Sequence, residues 1–67
     1  MTNVEKCIQM IREASRLNGE QYEQKAVEAL KFREQNFTRE DWEQLVAQTK
    51  GPAKYRYAKM MQDKYPD

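Results

Sequence analysis

Residues 37–42, Phe37-Thr38-Arg39-Glu40-Asp41-Trp42, constrain the fold of this chain more tightly than any other stretch. A capping threonine accepts a hydrogen bond from the backbone amide three residues on, and Asp41 stands where the reciprocal acid of a capping box belongs. Phe37 precedes the cap and Trp42 occupies the fourth helical position, the spacing of a hydrophobic staple. The stretch predicts a helix that starts at Arg39, and it carries no chemistry.

Helical spacing extends over the remainder of the chain. A first helix is predicted over about 4–17, with Thr2 or Asn3 as cap and a stripe of Val4, Cys7, Ile8, Ile11, Ala14 and Ser15. Met10 and Leu17 lie to one side of that stripe and widen its apolar arc, as expected of a helix with two neighbours. Asn18-Gly19 ends it, because both residue types tolerate the left-handed conformation of a helix terminus. A second helix follows over about 20–35, with Tyr22, Ala26, Ala29, Leu30 and the Arg33 stem on its inner face. Phe32 points away from that face, either beneath the Phe37–Trp42 staple or into solvent. The third helix covers about 39–50 through Trp42, Leu45, Val46 and Thr49. Gly51-Pro52 forces a turn, and a fourth helix covers about 53–64, with Pro52 at its first position. Ala53, Tyr57, Met60 and Met61 form its apolar side, and Tyr55, Arg56, Lys59 and Gln62 fall opposite. The expected fold is all-α, a compact bundle of three to four short helices in a single domain over residues 1–67.

Apolar residues supply 39% of the 67 positions and charged ones 34%, so the core must be small. A core of that size is relieved by self-association or a partner helix. Residues 1–49 hold nine acids and seven bases, a net charge of −2, whereas 50–67 hold five bases and two acids, a net +3. The C-terminal quarter is thus mildly basic, a solvated face that can meet an anion. A single cysteine excludes an internal disulfide, and no apolar run approaches membrane-spanning length. No basic-then-apolar leader opens the sequence, which leads to an expectation of a cytoplasmic protein.

Catalysis finds little support in these residues. The chain has no histidine, which removes the commonest acid–base and metal-binding side chain at neutral pH. Cys7 falls within an apolar stripe and reads as a small buried hydrophobe rather than a nucleophile. Glu40, Asp41 and Glu43 crowd the first turns of a helix, where acids favour the dipole, so capping explains them better than a metal. No glycine-rich phosphate loop is present. The expectation is a chain without catalytic residues, cofactor, metal or small-molecule substrate.

Two interaction surfaces remain. Tyr55, Arg56 and Lys59, with Lys54 nearby, place an aromatic among cations, a composition suited to phosphate contact and base stacking. Ala47, Gly51, Tyr57 and Met60 follow the spacing that packs the two helices of a helix-turn-helix, and the last two helices resemble that family over about 20 residues. Lys50 and Pro52 depart from it, standing where aliphatic residues are usual. The resemblance implies a nucleic-acid-binding regulator with Lys54, Tyr55, Arg56 and Lys59 toward the groove. The broader reading is a protein–protein interaction module (adaptor, regulator or self-associating subunit) using Met10, Phe32 and Met60, since methionines and aromatics are frequent at adaptable binding surfaces. That reading is preferred, with a protein partner or homo-oligomer expected. A structural subunit without separable activity is a third possibility.

Overall fold

Thr2 opens the first helix with a capping box of its own. Its hydroxyl accepts from the Glu5 amide at 3.1 Å, and its amide donates to Glu5 Oε1 at 3.0 Å. In the computed structural model, which describes residues 1–66, four helices follow in order: α1 (Asn3–Ser15), α2 (Gly19–Asn36), α3 (Arg39–Gln48) and α4 (Pro52–Lys64). Among the described residues there is no strand, so the chain is all-α as expected. Asp67, counted in the C-terminal charge, lies outside the described residues. The chain divides into two compact units, Met1–Phe37 and a second that begins at Thr38.

In the first unit, three cross-links set the register of α1 on α2. Asn3 Nδ2 donates to the Asn36 carbonyl at 3.2 Å, Arg33 Nη1 to Cys7 Sγ at 3.7 Å, and Lys25 Nζ lies 3.5 Å from Glu13 Oε2. As the α1 member advances from 3 to 13, its α2 partner retreats from 36 to 25. The two helices therefore form an antiparallel hairpin. Its buried side chains are Val4, Cys7 and Ala14 from α1, Ala29 and Arg33 from α2, and Phe37 just beyond. The Arg33 stem packs within the hairpin while its Nη1 donates to Cys7 Sγ.

Several sequence expectations change here. Ser15 is exposed, and its hydroxyl turns back to the Arg12 carbonyl at 2.6 Å, the local bond by which serine competes with helix packing. The first helix stops at Ser15 rather than Leu17. The Arg16 and Leu17 amides bond to Glu13 and Ala14 carbonyls at 3.1 and 3.0 Å, three residues back, which tightens the last turn. The left-handed residue of the Asn18-Gly19 pair is Gly19, with φ 60°, and it opens α2 rather than closing α1. Tyr22 and Leu30, expected on the inner face of α2, are exposed. Lys25, Ala26, Phe32 and Arg33 share the covered arc with Ala29, which rotates Leu30 outward and leaves Tyr22 beyond cover in the first turn.

The second unit starts with the Thr38 capping box. Its hydroxyl accepts from the Asp41 amide at 3.2 Å and its amide donates to Asp41 Oδ2 at 3.0 Å. Trp42 and Leu45 are fully buried, and Val46 and Thr49 half-buried. The third helix ends at Gln48, two residues before the expected Lys50, because Thr49 caps it. The Thr49 amide and hydroxyl both bond to the Leu45 carbonyl, at 3.0 and 2.6 Å. Gly51 adopts φ 74°, ψ −158°, a region essentially closed to residues with a Cβ. Pro52 also pushes its predecessor out of the helical region and then serves as the first residue of α4. Lys54 reaches back to α3, and Arg39 at the start of α3 lies over the Tyr65 ring after α4, 5.9 Å from its centroid. Hence α3 and α4 also run in opposite senses.

Candidate functional site

The covered arc of α4 decides what its other side offers. Ala53, Tyr57, Ala58, Met61 and, after the helix, Tyr65 are half-buried. Ala58 and Tyr65 carry that arc round the helix axis, so Met60 is left outside it, although the sequence had placed it with Tyr57 and Met61. It is 37% exposed and belongs instead with Tyr55, which is 78% exposed. Tyr55, Arg56, Lys59, Met60 and Asp63 line one shallow surface depression. Their spacing is that of a single helical face, because residues three and four apart stand above one another.

The two sets of residues singled out in the sequence thus partly merge. Tyr55, Arg56 and Lys59, expected to meet nucleic acid, share a surface with Met60, expected to meet protein. Lys54 leaves the set. Its ammonium donates to the Val46 carbonyl at 3.1 Å and supplies the positive charge missing from the last turn of α3. Met10 is half-buried on α1, and Phe32 is half-buried with its ring edge-on to Phe37. The centroids are 6.4 Å apart at an interplanar angle of 78°, a favoured geometry for aromatic pairs. This resolves the open position of Phe32 toward packing.

Of the four positions that carry the helix-turn-helix resemblance, Ala47 is exposed, Met60 is 37% exposed and Tyr57 is half-buried. The small side chain at Ala47 is therefore not required by a close approach of helices. Gly51 is required by its backbone angles.

A second shallow depression lies on α2, lined by Glu20, Glu23, Gln24, Val27, Glu28 and Lys31. Val27 is 46% exposed and Leu30 beside it 38%. Glu28 is engaged by Lys25 at 3.6 Å, whose ammonium also meets Glu13. Val27, Lys31 and Asp63 were not singled out in the sequence. Their only signal was i, i+3/i+4 spacing with charged neighbours, which a solvated helix face shares.

The remaining candidates have structural roles. Cys7 is fully buried, as expected of a small apolar residue. Asp41 is held in its capping box, and Glu43 lies 3.6 Å from Arg39 Nε, one turn away. The Glu5 carboxyl is held below the ordinary glutamate range, first by the Thr2 backbone N–H it accepts and then by its side-chain bond with Thr2. Among the described residues no group of three or more acids and cysteines is arranged to hold a metal. No helix among them is long and apolar enough to cross a membrane. Comparisons with known protein families, characterised proteins and solved structures find no match to this chain.

Proposed function

We propose that the chain is a small, non-catalytic helical interaction module of the cytoplasm that docks protein partners through the outer face of α4. One observation carries the reading: Tyr55 and Met60, a solvated aromatic and a flexible thioether, stand on one face with Arg56 and Lys59 between them. Cations set between apolar side chains suit an amphipathic partner that also carries acids. Two further observations support a non-catalytic role. The single thiol is buried, and Asp41 and Glu43 are engaged within α3. A single reduced thiol also accords with a reducing compartment.

Nucleic acid is the second reading, favoured by the same exposed Arg56 and Lys59 beside an aromatic. Fluorescence anisotropy separates the two. The protein is titrated into a labelled, Glu-flanked Leu-rich helical peptide and into a labelled DNA duplex, each at low and physiological salt. Peptide binding that weakens about tenfold on Met60→Glu and only modestly with salt is the expected result. Duplex binding that falls steeply with salt, and further on Arg56→Ala and Lys59→Ala, would replace this reading with the nucleic-acid one. Failure to bind either probe would overturn both.

A further inference from the structure

The outer faces of α2 and α4 are complementary to each other in an order that specifies direction. Along one edge of the exposed α2 face Glu23, Val27 and Lys31 run acid, apolar, base, while Glu28 on the other edge is engaged by Lys25 at 3.6 Å. Along α4 the exposed residues run Arg56, Met60, Asp63: base, apolar, acid. The two series have nearly equal length, about 12 Å for Glu23 to Lys31 and about 10.5 Å for Arg56 to Asp63 at the helical rise. Laid side by side in the parallel sense, Glu23 meets Arg56, Val27 meets Met60 and Lys31 meets Asp63. In the antiparallel sense Glu23 faces Asp63 and Lys31 faces Arg56, both repulsive. Glu20 strengthens the acidic end, and Lys59 stands beside Met60 at mid-face.

We infer that a second copy of this chain is a partner of the α4 face, which it meets with its own α2 face in the parallel sense. This inference rests on the α4 reading above and names its occupant. The contact joins two different surfaces, so every copy carries one of each, and association closes as a ring or extends as a chain. Three residue pairs over two helical turns fall well short of the area of a permanent interface, so the association is weak and concentration-dependent.

The test uses two charge reversals at exposed positions, Glu23→Lys and Arg56→Glu, with helicity checked by circular dichroism. Sedimentation velocity at low salt, up to about 1 mM protein, is expected to show mass above the monomer for the unaltered chain. Either variant alone places like charges together and is expected to remain monomeric, its association weakened at least ~10-fold. An equimolar mixture of the two restores opposite charges at both junctions, and its association is expected to return to within about threefold of the unaltered chain. A monomeric unaltered chain, a variant that still associates alone, or a mixture that stays monomeric each overturns the inference. The peptide titration judges the α4 reading separately. Peptide binding by a chain that stays monomeric removes only the second copy, whereas loss of peptide binding removes the α4 face itself.

Discussion

Glu5 shows how much a single side chain can do at a helix end. It completes the Thr2 capping box, and the bonds from Thr2 hold its carboxyl below the ordinary range. A lowered folded-state pKa means that ionised Glu5 favours the folded form. That contribution is complete above the unfolded value and is lost as pH falls through the lowered folded one. Acidification below the ordinary glutamate range is therefore expected to fray the first turn of α1. NMR titration of the Glu5 carboxyl carbon checks this, with a midpoint below that of an unstructured glutamate and a matching rise in exchange at the Glu5 amide. In Glu5→Gln the first-turn amides should lose that pH dependence. The Thr-x-x-Glu spacing was present in the sequence at residues 2–5, yet Asn3 competed with Thr2 as cap. Asn3 instead bonds to Asn36, a partner 33 residues away that local spacing cannot reveal.

At the level of elements, starts were more legible than ends. Thr38 and Asp41 hold the box that opens α3, and Pro52 begins α4 after a glycine whose angles exclude other residues. Starts are written in side chains that bond to their own neighbourhood, whereas the end of α3 depends on two residues with different jobs. Thr49 bonds to the Leu45 carbonyl, and Lys54 crosses the turn to Val46. Lys54, expected from the sequence to face a nucleic acid, also closes a helix terminus. Lys54→Met keeps much of the stem and removes the charge, and is expected to cost about 0.3–1 kcal/mol. A urea midpoint lowered by that energy divided by the slope, with the slope unchanged, would place the loss in the folded state. Peptide binding should be unaffected, because the α4 face does not include Lys54. The helix faces were harder to read than the helix limits. Leu30 and Met60 are apolar residues at correct spacing, but a neighbouring side chain in each case (Phe32 on α2, Tyr65 after α4) turned the covered arc away from them.

Across the whole molecule, the all-α character and the four helices were legible because caps, glycines and a proline punctuate the chain at the right intervals. Four residues of the α4 face were named in the sequence but not as one surface, since Met60 and Tyr55 were assigned to opposite sides of one helix and Asp63 was not named. The hairpin of α1 and α2 has a consequence for how its motions can be watched. Cys7 is the only thiol in the chain, has no exposed surface, and is held at 3.7 Å by a guanidinium from the opposite helix. A thiol-modifying reagent reaches it only when that contact opens, so the labelling rate in native buffer counts openings around Cys7. Trp42 is fully buried in the second unit, and its emission follows that unit. The chain thus carries two native probes, one chemical in the first unit and one optical in the second. Coincidence or separation of their signals in denaturant measures how far the two halves melt as one.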